Sequence, residues 1–172
     1  MTILKTMPQT AFPAILQEAV VAANCSTLET ILGNVPKLLS GEHEVPSGLF
    51  VIGLISFMGD HSWSCAYILP EKTAEAVAEK FVGFEIAFNS SDMADVIGEL
   101  ANVIAGDITA QLDRKRIKAQ MSLPSVSRGE NIEMLVPAGL PTKQLEFSCT
   151  QGRFWNRLIC APQPKGVRLP GA

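Results

Sequence analysis

Apolar residues recur near helical spacing at Ile15, Val20, Leu28, Ile31 and Leu32, behind a Pro13 suited to the first position of a helix. Gly33-Asn34 and then Pro36 close that helix. Residues 37–46 read as a connection of mixed character, with Leu38-Leu39 its only apolar pair. Two strand-like runs follow, Gly48 to Met58 and Ser62 to Leu69, joined by a Gly59-Asp60 turn signal that predicts a hairpin. Pro70-Glu71-Lys72-Thr73 opens a second helix with an acid in its first turn, and Gly83 ends it. A third helix runs from Asp92 to Asp113, with Ser90 or Ser91 as its cap. The C-terminal half turns strand-like, in runs at Ile117–Leu123, Ile132–Val136, Gln144–Cys149 and Phe154–Cys160 divided by Pro and Gly. This order implies an α+β fold, an antiparallel β-sheet packed against long α-helices. One domain is expected over residues 1–161, followed by a flexible tail, 162–172.

Composition narrows the function classes. The 172 residues are 47% hydrophobic and only 18% charged, which favours a globular chain that covers some apolar surface by dimerising or docking. A net charge of −3 argues against nucleic acid, and the one basic run, Arg114-Lys115-Arg116, sits where cations answer a helix dipole. The longest mainly apolar run, Leu49 to Met58, is far too short to span a bilayer, and Met1 to Ala11 has no signal-peptide pattern. A cytoplasmic, membrane-free protein is expected. The four cysteines form no CxxC pair, and with only His43 and His61 beside them no metal site is expected. They read as buried free thiols, and Trp63 and Trp155 as core or interface aromatics.

Placed on a wheel, the third helix gathers Met93, Val96, Ile97, Leu100, Val103, Ile104 and Ile108 on a core-facing stripe. Asp95, Glu99, Asn102 and Gly106 fall on the other side, within a sector of about 60°. Gly98 inside a helix costs about 1 kcal/mol relative to Ala, and Asn102 is a mediocre helix former at an exposed position. Glycines on or beside the polar stripe would let another surface approach closely. Most polar stripes, however, are solvated faces, and Gly98 also reads as admitting a packed neighbour. Spacing alone does not overturn that reading.

The stretch Asp95-Val96-Ile97-Gly98-Glu99-Leu100-Ala101-Asn102, followed by Gly106, resembles the active-site helix of the CheC/CheX/FliY family. These are phosphatases of phosphorylated CheY-like response regulators, and their signature is Asp or Ser, three residues, Glu, two residues, Asn. The resemblance extends over roughly residues 14–161. Thr27–Gly33 looks like the end of the first helix, Phe57-Met58-Gly59-Asp60 like the central hairpin, and Ser122-Leu123-Pro124-Ser125-Val126 like the segment after the active helix. CheC-type members carry the signature twice. Here Glu99-x-x-Asn102 is the only instance, which resembles CheX, whose members commonly form homodimers.

The resemblance implies that Asn102 orients the attacking water, that Glu99 pairs with the receiver's lysine, and that Asp95, Gly98 and Gly106 contact the partner. It implies no cofactor on this chain, with Mg²⁺ carried by the receiver. Two rivals stand beside it. A non-catalytic adaptor would bind a response regulator or flagellar switch component, and a cysteine enzyme would use Cys65 with His61, which share one strand face at even spacing.

Overall fold

The computed structural model describes residues 11–41 and 44–161, so the expected tail and His43 lie outside the described residues. Its elements run α1 (Ala14–Leu32), β1 (Lys37–Leu38), β2 (Leu49–Gly59), β3 (Trp63–Pro70), α2 (Glu71–Val82), α3 (Asp92–Arg114), β4 (Ala119–Met121), β5 (Ser125–Glu130), β6 (Thr142–Cys149) and β7 (Gly152–Cys160). The expected α+β class is the observed one. A seven-stranded antiparallel sheet has the order β1-β6-β7-β3-β2-β4, with β5 also pairing β2.

The helix stops follow the glycines. Gly33 and Gly83 adopt left-handed φ of 73° and 86°, and their amides donate to Glu29 and Glu79 carbonyls at 2.9 and 2.8 Å. The hairpin forms as expected, with Phe57 opposite Trp63 and their rings stacked at 4.2 Å. At its end Gly59 is obligatory, because a Cβ there would collide with the Lys118 carbonyl. The Asp60 carboxylate accepts from the Lys118 amide at 2.8 Å, which fastens the hairpin tip to the start of β4.

The helices cover the sheet face from which Val51, Ile55, Cys65, Tyr67, Leu145, Phe147, Phe154 and Leu158 project. α1 and α3 lie antiparallel. Lys115 pairs with Glu18 at 2.6 Å near one end, while the Ser26 and Thr27 hydroxyls donate to Asp107 further along. A buried amide pair, Asn24 Nδ2 donating to Asn156 Oδ1 at 2.7 Å, ties α1 to β7. On the far face a smaller cluster of Phe50, Ile52, Ala66, Ile68 and Trp155 packs with Val45, Leu54 and Met134.

Three assignments need correction. Ile132–Val136 is not a strand. It belongs to a loop whose Met134 packs on the outer cluster, while Leu135 points to solvent. The strand lies earlier, at the polar Ser125–Glu130. Lys37–Leu38, read as connection, pairs with Ser148 and Phe147 as a short edge strand.

The register against β2 shifts by one residue between β4 and β5. Phe57 faces Met121 and Leu54 faces Ser125, so Ile55 and Ser56 oppose three residues, Ser122, Leu123 and Pro124. That is a β-bulge. Ser122 anchors it: its amide donates to Ser56 O at 2.8 Å, and its hydroxyl accepts from the Ser56 amide at 3.1 Å.

Candidate functional site

α3 is held at its N-terminus from two sides. Ser90 Oγ accepts from the Met93 amide at 3.3 Å and donates to Ala87 O at 2.7 Å, so Ser90, not Ser91, supplies the side-chain cap. Arg128 of β5 donates to the Phe88 and Ser90 carbonyls at 2.6 and 2.8 Å and lies 5.9 Å from the Phe88 ring centroid. Asp92 and Asp95 occupy the first turn, where acids oppose the helix dipole.

Met93, Ile97, Leu100, Ala101, Ile104, Ala105, Ile108 and Leu112 are buried, so the core stripe is where periodicity placed it. Val103 departs from that stripe and is 39% exposed. Gly53 of β2 sits beneath this stripe. A Cβ on it would stand 3.2 Å from Ala101 Cβ and 3.5 Å from Ile97 Cγ2, so its missing side chain sets how closely α3 approaches the sheet.

On the opposite side Asp95 and Glu99 are exposed, Asn102 and Gly106 half-buried, and Gly98 buried. Asp95, Gly98, Glu99 and Asn102 come together with Ala94, Leu123, Pro124 and Val126 around an open groove of about 450 Å³. Gly106, one turn beyond Asn102, does not line it. Among the described residues the Asp95, Glu99 and Asn102 side chains have no hydrogen-bond or ion-pair partner. Their neighbour on the helix, Asp107, is by contrast occupied by Ser26, Thr27 and Gln111. Above Gly98 a Cβ would meet Val126 Cγ2 at 3.5 Å and Pro124 Cγ at 3.7 Å, so the bulge seats over the glycine. Gly106 has nothing within 4 Å of that position.

The sheet side of the groove, Leu123, Pro124 and Val126, carries no chemical side chain and was not singled out from sequence as site residues. The one available signal was Pro124 interrupting a strand-like run. Two other depressions are larger, one of 720 Å³ over the outer sheet face and one of 610 Å³ beside α2. Size therefore does not select the site; the assembled carboxylate, amide and carboxylate do. Among the described residues no group of three or more His, Cys, Asp or Glu side chains is placed to hold a metal ion.

The cysteine reading fails on geometry. Cys65 is fully buried under the helices and burial pushes its thiol up to about 12, while His61 lies in the turn before β3 rather than on the strand. All four cysteines are free; Cys65 and Cys160 are buried, Cys25 and Cys149 only half-buried. Both tryptophans are buried. Among the described residues no helix is long and apolar enough to cross a membrane.

A family model described as chemotaxis phosphatase CheX matches residues 51–148, from β2 through α3 to the end of β6. The chain belongs to the CheX family. No curated protein matches it, but solved structures share the CheC/CheX-like fold closely. A CheC-like superfamily protein from Shewanella sp. PV-4 superposes with a TM-score of 0.77 at 19% identity, covering 88% of this chain and 100% of that one. The chemotaxis protein CheX of Vibrio vulnificus gives 0.75 at 19% identity, with 85% and 99% covered. CheX in a CheX–CheY–BeF₃–Mg²⁺ complex from Borrelia burgdorferi gives 0.67 at 21% identity, with 84% and 96% covered. The residues that line the groove on α3 all lie within the matched segment.

Proposed function

We propose that this CheX-family chain is a cytoplasmic phosphatase that hydrolyses the aspartyl phosphate of a CheY-like receiver domain. The observation that carries the proposal is that Asp95, Glu99 and Asn102, which have no side-chain partner among the described residues, line one open groove on a single helix. Side chains left unpaired among the described residues are available to a second protein. The solved complex of a CheX with CheY, BeF₃ and Mg²⁺ supports a receiver as that protein.

A phosphorylated receiver holds an acyl phosphate and brings its own Mg²⁺ and lysine, so the chemistry asks this chain chiefly for positioning. The Asn102 carbonyl accepts a hydrogen bond from a water and its NH₂ donates to a phosphoryl oxygen, which places the water oxygen in line with phosphorus. The water oxygen bonds to phosphorus, the bond from phosphorus to the aspartate oxygen breaks with its electrons, and the water proton leaves with inorganic phosphate. Asn102 is too weakly basic to take that proton. Glu99, one turn back on the same face, pairs with the receiver's lysine and fixes the complex. Asp95 contacts the rim of the partner.

The test is phosphate release from CheY-like receivers charged with acetyl phosphate. Asn102→Ala should slow release about 100-fold or more, the loss typical of removing one positioned donor, while receiver affinity stays within a few-fold. Unchanged release sinks the proposal. A wild-type protein that binds receivers without releasing phosphate would instead be an adaptor.

A further inference from the structure

We propose that Leu123, thrust out of the sheet by the bulge between β4 and β5, is the apolar anchor that the phosphorylated receiver covers when it seats on the groove. The inference rests on the function proposed above and names a contact that function does not require.

Leu123 is 86% exposed and lines the groove opposite Glu99 and Asn102. A single exposed leucine means little by itself, and Leu135 is 83% exposed without lining this groove. What separates Leu123 is how it is held. Without the extra residue, the β4 register would continue into β5 and Leu123 would take a ladder position against β2. The bulge removes it from the ladder, and Pro124 has no amide to donate back into it. Ser122 then locks the distortion with both its amide and its hydroxyl on Ser56. Pro124 and Val126 seat on α3 over Gly98, which sets the displaced leucine beside the polar residues of the helix.

Charge and polarity name the occupant. The groove presents two exposed carboxylates that pair with no cation among the described residues, beside an apolar tip. A second copy of this acidic chain would bring like charge to those carboxylates. A receiver offers a lysine to Glu99 and a rim to Asp95, and an apolar surface beside them would bury Leu123. An apolar core beside polar groups is the usual anatomy of a protein interface, and an exposed leucine at the edge of the groove is placed to join such a core.

The experiment measures steady-state phosphate release and binding to the beryllofluoride–Mg²⁺ form of the receiver. Leu123→Ser should raise KM and Kd about tenfold or more, with kcat within about twofold, because the anchor does not touch the reacting atoms. Leu123→Met and the control Leu135→Ser should stay within about threefold of wild type, and melting should confirm that each variant folds. Unchanged KM and Kd in Leu123→Ser, with wild-type activity intact, overturn the anchor and leave the phosphatase standing. Loss of self-association in Leu123→Ser by sedimentation, with KM unchanged, also overturns it and assigns the leucine to a second copy. A wild-type chain that neither binds nor dephosphorylates receivers overturns the proposed function and the anchor together.

Discussion

A methyl group added at Gly106 would meet nothing within 4 Å, and one added at Gly98 would meet Val126 and Pro124 only at ordinary contact distance. Neither glycine is therefore demanded by crowding within its own chain. Both sit inside a helix, where Gly costs about 1 kcal/mol relative to Ala. Gly106→Ala should therefore raise stability by about 1 kcal/mol, and Gly98→Ala by roughly 0.5–1 kcal/mol, read from urea midpoints at constant m. If Gly98 is kept for a partner, its alanine variant should be more stable and yet release phosphate several-fold more slowly. A more stable Gly98→Ala with unchanged turnover would remove that residue from the interface.

On the element scale the site depends on how closely α3 lies on β2. Gly53 leaves 3.2 Å between its would-be Cβ and Ala101, tighter than side chains ordinarily accept. Gly53→Val would drive two further methyl groups into Ala101 and Ile97, and should destabilise the fold by about 1–3 kcal/mol as overpacked cores do. Because α3 would shift against the bulge, phosphate release should fall even in the folded fraction; wild-type turnover in a destabilised variant would uncouple the two. The three helices and the hairpin were legible from sequence because their apolar spacing and their glycine stops act locally. The strand β5 was not, since Ser-Val-Ser-Arg-Gly-Glu carries a single large apolar residue, Val126, and pairs on one side only, with β2. Ile132–Val136 has the apolar content of a strand but lies over a cluster on the outer face instead of pairing. For the same reason half of the groove was legible. Asp95, Glu99 and Asn102 share one helix face, whereas Leu123 reaches them only through a register shift between β4 and β5 against β2, which no local spacing encodes.

For the whole molecule, three helices on one sheet face seal ionisable groups that an unfolded chain would expose. Cys65 lies among them, and burial holds its thiol at about 12 against an ordinary value of 9.0. Burial pushes the Tyr67 hydroxyl in the same direction, and the half-buried Cys25 and Cys149 thiols as well. The unfolded chain releases the Cys65 proton as pH passes 9.0, while the folded chain keeps it until about 12. Between those values the unfolded state binds fewer protons, so stability is fully present below pH 9.0 and declines as pH rises toward 12. Urea unfolding at pH 7.5 and pH 10.5 should show that decline. Cys65→Ala removes the largest thiol contribution and should shrink the difference between the two conditions, without abolishing it because the remaining groups titrate with the same sign. An equal loss of stability in wild type and Cys65→Ala would place the alkaline sensitivity elsewhere and contradict the seal that the helices make over the sheet.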